Sequence, residues 1–217
     1  MPICWGFIGS KGGVLKSTSA RALAVELARV GYGVKILDMD PAQCTTLRWH
    51  ERRVNAGIKP SVDVEMVPAD ANVAAVLKKC GAYDVVIMHS AGKADRLTLD
   101  IARISDLVVL PTGPGLDDLD PAVRVCNGLV ERGVPRSRMR LALTRTQTES
   151  ETEEARAWLE RAGLTVLPGS LPERPLYRRA QSEGRAVTEV WHPGLKNTAC
   201  AYVQAIVDAA AEHPETV

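Results

Sequence analysis

The sequence predicts an α/β fold: a mostly parallel, twisted sheet with helices on both faces. Three observations carry that expectation. Short apolar runs alternate with stretches of helical periodicity along most of the chain. The apolar runs are continuous rather than alternating, as strands buried on both faces must be. Hydrophobic residues make up 46% of the chain and aromatic residues only 4%, a globular composition with an aliphatic core. A chain of 217 residues suffices for one sizeable core, and with no internal repeat, low-complexity block or long linker, residues 1–217 read as a single domain.

Taken in order, Cys4–Ile8 is the first strand. A helix over Lys16–Val30 follows, with Ala20, Leu23, Ala24, Leu27 and Val30 at helical spacing. Gly31 and Gly33 stop it, and Val34–Leu37 is the second strand. Further strands are expected at Val64–Val67, Val85–Met88, Leu107–Leu110, Met139–Leu143 and Thr165–Leu167. Helices are expected near Ala42–Ala56, Ala71–Lys79, Ala94–Ile104, Leu119–Arg132, Ser150–Ala162 and Leu195–Ala211. Ligands of such sheets bind beyond the carboxyl ends of the strands. Four unusual segments converge there: Gly9–Thr18, Asp38–Pro41, His89–Gly92 and the pair Thr144 and Arg145.

Charge and cysteine content exclude several classes. Lys and Arg total 27 against 26 Asp and Glu, a net charge of +1, so any polyanion site must be a local patch. Five cysteines (Cys4, Cys44, Cys80, Cys126 and Cys200), an odd number without C-x-x-C spacing, argue against a disulfide framework or a zinc site and for reduced thiols in a cytoplasmic protein. The N-terminus lacks a basic leader and long apolar run, and no stretch approaches the ~18 apolar residues of a membrane span. From Ala201 to Val217 the tail carries Asp208, Glu212 and Glu215 but no Lys or Arg, unlike a basic membrane anchor.

The segment Gly9-Ser10-Lys11-Gly12-Gly13-Val14-Leu15-Lys16-Ser17-Thr18 joins a strand to a helix, the setting of a phosphate-binding loop. Glycines let successive N–H groups converge on phosphate oxygens, and the helix adds its positive end. Lys16 would reach the β- and γ-phosphates, and the Ser17 hydroxyl would ligate Mg²⁺. The second strand ends Asp38-Met39-Asp40-Pro41, two carboxylates one residue apart that suit a hydrated Mg²⁺. Asp40 is also a natural helix N-cap or turn residue.

The run Lys11-Gly12-Gly13-Val14-Leu15-Lys16-Ser17-Thr18 resembles the deviant Walker A motif, K-G-G-x-G-K-[ST], of the ParA/MinD family of P-loop ATPases. Asp38-Met39-Asp40-Pro41-Ala42-Gln43 resembles the D-x-D-P-Q segment of the ParA branch. Tyr83–Gly92 resembles the family's strand ending in D-T-[AP]-[GP], and Asp106–Pro111 the next strand and its proline. Leu143–Arg145 and Leu171–Ala180 resemble the late segments that flank adenine in small partition ATPases.

The resemblance implies ATP and Mg²⁺ as cofactors. Lys11, Gly12, Gly13, Val14, Leu15, Lys16, Ser17, Thr18, Thr144, Arg145 and Pro172 would bind the nucleotide. Ser17, Asp38 and Asp40 would serve the metal. Lys11, Lys16 and Asp40 would be the catalytic set, with Asp40 placing the attacking water or the metal shell. It further implies a homodimer closed across ATP, with Lys11 reaching the partner's phosphates. Such a dimer would bind DNA nonspecifically, answer to a ParB-like or small DNA-binding adaptor protein, and lie in the cytoplasm, on the nucleoid when ATP-bound.

Two departures bear on activity. Leu15 stands where the family has glycine, which is compatible with binding if its φ is negative and its side chain points outward. His89 stands where the family has the Walker B aspartate, and neutral imidazole is a poor partner for hydrated Mg²⁺. His89 is read either as a catalytic base or as a rim histidine bonded to a neighbour. The whole protein is read as a slow partition ATPase or, alternatively, as a nucleotide-gated regulator or scaffold with a degenerate site. A membrane-cycling relative would need the absent basic tail. An iron–sulfur reductase would need cysteines, and none lies between Met88 and Leu110. Three arginine groups could meet DNA phosphates: Arg132, Arg136, Arg138 and Arg140; Arg174, Arg178, Arg179 and Arg185 with Lys196; and Arg48, Arg52 and Arg53.

Overall fold

The computed structural model describes residues 1–68, 70–92 and 96–212. Seven strands form one sheet: β1 (Ile3–Phe7), β2 (Val34–Met39), β3 (Asp63–Met66), β4 (Val85–Ser90), β5 (Leu107–Thr112), β6 (Met139–Thr146) and β7 (Leu171–Pro172). Their order is β3-β2-β4-β1-β5-β6-β7, and every pairing is parallel. The helices are α1 (Lys16–Arg29), α2 (Thr45–Asn55), α3 (Val73–Lys78), α4 (Arg96–Ile104), α5 (Leu116–Glu131), α6 (Glu149–Arg161), α7 (Pro175–Ser182) and α8 (Pro193–Ala211).

The doubly apolar strands divide their side chains between two cores. Val85 and Ile87 of β4 pack with residues of α1, α2, α7 and α8, while Val86 and Met88 pack with α3, α4, α5 and α6. This two-sided burial is the expected consequence of strands without polar alternation.

Several boundaries differ from expectation. The predicted strand at Thr165–Leu167 makes only one bridge, Leu141 to Val166, and the seventh strand is Leu171–Pro172. Helix α2 begins at Thr45 rather than Ala42, because Pro41–Gln43 form a turn and Cys44 is left-handed, with φ 47°. Helix α7, with Pro175 in its first turn, was not anticipated. Ala94, the expected start of α4, and Glu215 of the tail lie outside the described residues. Among the described residues all five cysteines are free, and no helix is long and apolar enough to cross a membrane.

Strand β1 lies at the centre, between β4 and β5. Register pairs Phe7 with His89 and Asp38 with His89, so the ends of β1, β2 and β4 sit side by side. Three of the chain's four unusual segments therefore meet on one rim, and the fourth joins them from β6, where Thr144 bonds to Val14 of the loop.

Candidate nucleotide-binding site

The loop from β1 to α1 wraps above that rim. Gly13 has φ 78°, a conformation glycine adopts freely. Leu15 has φ 62° and ψ 26°, left-handed and costly for a residue with a Cβ. Its half-buried side chain packs against the α1–α8 core. Neither condition expected of Leu15 is met: φ is positive and the side chain packs against the core, so the loop keeps the left-handed path that a glycine would take and the cost is borne as backbone strain.

Lys16 is 7% exposed, and its Nζ donates to the Lys11 carbonyl at 2.6 Å, bridging the two ends of the loop. Burial pulls its pKa down to about 8, partly opposed by Asp40. The loop is supported from below by Thr144, whose hydroxyl donates to the carbonyls of Val14 (3.2 Å) and Thr112 (3.1 Å). Thr144 is fully buried and so holds the loop rather than facing a nucleotide. Gly92 presses on the loop from the β4 side: a Cβ there would meet the Gly12 nitrogen at 2.5 Å.

A cleft of about 220 Å³ opens at this rim. Gly12, Gly13, Leu15, Lys16, Ser17 and Thr18 line it from the loop and α1, with Arg21 behind them. Asp40, Gln43, Thr45, Ser90 and Gly92 complete it, and Thr45 Oγ1 lies 3.4 Å from Ser17 Oγ. The fold thus gathers Lys16, Ser17 and Asp40 in one cleft. Among the described residues no group of three or more His, Cys, Asp or Glu could hold a metal by itself. Ser17 and Asp40 supply the hard oxygens that Mg²⁺ prefers when phosphates and water fill its remaining positions.

Asp38 is placed differently from the expectation that it would serve a metal. It is fully buried, and its carboxylate accepts the backbone N–H groups of Asp40 (3.1 Å), Thr46 (2.9 Å) and Leu47 (3.4 Å). Cys44 makes no side-chain cap for α2, so Asp38 acts as a cap delivered from the neighbouring strand. His89 stands beside it, with Nε2 at 2.8 Å from Thr46 Oγ1 and 3.4 Å from Asp38 Oδ1. Burial pulls its pKa down to about 4, so the imidazole is neutral at physiological pH. His89 is sealed from solvent and bonded to a neighbour, which fits the second of its two readings.

Lys11 is held within its own chain. Its Nζ lies 3.0 Å from Asp118 Oδ1 on α5, and Arg145 Nη1 lies 3.8 Å from the other oxygen. Asp118 and Arg21 were missed by sequence reasoning. Asp118 had a weak signal, the acidic run Asp117-Asp118-Leu119-Asp120 at a helix start, but nothing local joins it to Lys11 107 residues away. Pro172 lies apart from the loop cleft, lining a second cleft of about 610 Å³ with Thr146, Ser170 and Tyr202.

Residues 5–187 match the family model described as the CobQ/CobB/MinD/ParA nucleotide binding domain. The chain belongs to this family. Within the ParA/MinD group, it is 35% identical over 109 residues to Protein ParA of Rhizobium radiobacter, a match covering 48% of this chain and 46% of that protein. The chain thus matches about half the length of this curated relative. Two solved structures share the fold across nearly their full lengths. The AMPPNP-bound BB_S35 protein of Borrelia burgdorferi B31 has a TM-score of 0.71 at 19% identity, covering 98% of this chain and 99% of that one. The septum site-determining protein MinD of Pyrococcus horikoshii OT3, complexed with Mg-ADP, has a TM-score of 0.70 at 18% identity, covering 99% and 100%.

Proposed function

We propose that the protein is a ParA-type partition ATPase, one nucleotide-binding unit over residues 1–217. ATP would close a homodimer that binds DNA nonspecifically, and a ParB-like or small DNA-binding adaptor would trigger hydrolysis and release. The protein would act in the cytoplasm, on the nucleoid when ATP-bound. The observation that carries this reading is the loop Gly9–Thr18, which brings two lysines, Lys11 and Lys16, to the carboxyl end of the central strand. Lys16 would exchange the Lys11 carbonyl for phosphate oxygens, whose charge would raise its pKa again. Backbone N–H groups from Gly12 to Ser17 would hold the β-phosphate, Thr18 and Arg145 would belong to the nucleoside side, and Pro172 would be reached only by a base extending from the loop cleft toward the second cleft. When bound, Mg²⁺ would sit at Ser17 and Asp40 and neutralise charge on the terminal phosphates. Asp40 would orient the attacking water.

Burial reduces the arginine groups available to DNA. Arg53 and Arg140 are buried, whereas Arg48 and Arg52 on α2 and Arg179 and Arg185 in and after α7 are exposed. Helices α2 and α7 touch, with Arg52 donating to the Gln181 carbonyl, so these four form the favoured surface. Affinity through such contacts should fall with salt.

The test is a pair of variants in ATP titration and sedimentation. Lys16→Ala should abolish ATP binding, and Lys11→Ala should retain binding while losing ATP-dependent dimerisation. Parent-like behaviour of both would refute the assignment. A second reading, a nucleotide-gated regulator or scaffold with little turnover, is favoured by the neutral His89 at the end of β4. Tight ATP binding without turnover in the presence of DNA and partner would decide for it.

A further inference from the structure

Arg21 lies on α1, one turn beyond Ser17, and lines the loop cleft with Lys16, Ser17 and Asp40. Only 6% of it is exposed. Two of its three guanidinium nitrogens are occupied: Nε donates to Thr46 Oγ1 at 3.2 Å and Nη1 to Gln181 Oε1 at 2.8 Å. The third, Nη2, is buried and has no hydrogen-bond partner among the described residues. An unpaired buried charged donor is costly, and its partner at this place is an acceptor that the described residues do not supply, such as a phosphate oxygen reaching in from the cleft or a water that such an oxygen would displace. The guanidinium also lies within 5.7 Å of the Trp49 ring centroid, which fixes its plane further.

Electrostatics point the same way. Among the charged residues lining the cleft, Lys16 and Arg21 are cationic and Asp40 alone is anionic. Asp38 is committed to the first turn of α2 and does not line the cleft. The balance already favours an anion before any metal ion is added. Burial lowers the pKa of Arg21 to about 9, which keeps the guanidinium charged at neutral pH.

We infer that Arg21 is a built-in cation for the terminal phosphate of a nucleoside triphosphate, and that it makes nucleotide affinity largely independent of Mg²⁺. This rests on the nucleotide reading and deepens it. Removing the metal leaves Asp40 as the one carboxylate among the residues lining the cleft, and two cations, Lys16 and Arg21, stand against it, Arg21 with an unused N–H group. When bound, Mg²⁺ would be held at Ser17 and Asp40 and would supply charge neutralisation for hydrolysis, while Lys16 and Arg21 retain the ligand. A guanidinium is suited to this because it is planar, permanently charged and able to donate several bonds to one phosphate.

The test is calorimetric titration of the whole chain with a non-hydrolysable ATP analogue and with ADP, each in excess Mg²⁺ and in excess EDTA. The parent should bind the analogue with dissociation constants within about threefold of each other in the two buffers. Binding in Mg²⁺ that weakens more than about tenfold in EDTA would overturn the inference and leave the nucleotide site standing. Absence of binding in both buffers would remove the nucleotide reading itself. Arg21→Gln keeps a hydrogen-bonding group but loses the charge. It should weaken the analogue about tenfold or more in EDTA and change ADP by less than about threefold. Retained ADP binding shows that the variant is folded. Equal losses for both nucleotides, or no loss for either, would overturn the role given to Arg21.

Discussion

Leu15 concentrates a conflict that can be measured. A left-handed conformation costs a residue with a Cβ roughly 1–2 kcal/mol, whereas its half-buried side chain gains contacts with the α1–α8 core. Leu15→Ala loses the contacts and keeps the strain. Leu15→Gly loses the contacts and relieves it. The glycine variant should therefore be more stable than the alanine variant by about 1 kcal/mol in urea denaturation. The reverse order would show that the loop is not strained at this position. His89 makes a second prediction at this scale. Its folded pKa lies near 4, below the ordinary 6.5, so between those values the unfolded chain binds a proton that the folded chain does not. Its contribution to stability is thus complete above about pH 6.5 and is lost as pH falls toward 4. His89→Gln should flatten that part of the stability profile. An unchanged slope would mean that the imidazole already protonates in the folded protein.

Helix α2 shows how an element can be held by residues outside it. Its start is capped by Asp38 from β2, and its end is fixed by Arg53. Arg53 is 1% exposed, lies 5.4 Å from the Trp49 ring centroid, and pairs with Glu189 at 2.6 Å and 3.0 Å. It also donates to the carbonyls of Pro60 and Gly184. Removing one partner of a buried pair strands the other, so Arg53→Met should destabilise the protein by about 3–5 kcal/mol. A loss below about 1 kcal/mol in denaturant titration would show that water reaches Glu189 instead. The element scale also shows why sequence patterns fell short. Strand β7 has two residues and α7 eight, too short for a periodic pattern to stand out. Thr165–Leu167 has the composition of a strand but contributes one bridge, because composition does not say which segment reaches the sheet edge.

Across the whole molecule, the contact with most consequence joins the loop to α5. Lys11 is paired with Asp118 of its own chain, with 41% of its side chain exposed. If Lys11 must reach a partner's phosphates, this pair has to open first. Asp118→Asn should therefore strengthen ATP-dependent dimerisation, by about 1 kcal/mol or less given the exposure of the lysine. Sedimentation equilibrium with an ATP analogue measures this, and weaker dimerisation of the variant would show that Asp118 helps to present the lysine rather than to retain it.

The alternation of apolar runs with helical patterns was enough to determine the parallel sheet, since only a sheet covered on both faces buries such strands. The glycine-bearing segment with Lys11, Lys16 and Ser17 determined that a lysine-bearing loop joins the central strand to a helix at the sheet's carboxyl rim, because strand, loop and helix are contiguous in the chain. Tertiary structure alone decided what surrounds that place. The left-handed turn at Leu15, the use of Asp38 as a cap, the burial of His89 and the approach of Arg21 and Asp118 all depend on side chains brought together from distant strands and helices. Local sequence carries periodicity and backbone preference, whereas the partner of a buried charge is set by which elements the sheet order makes neighbours.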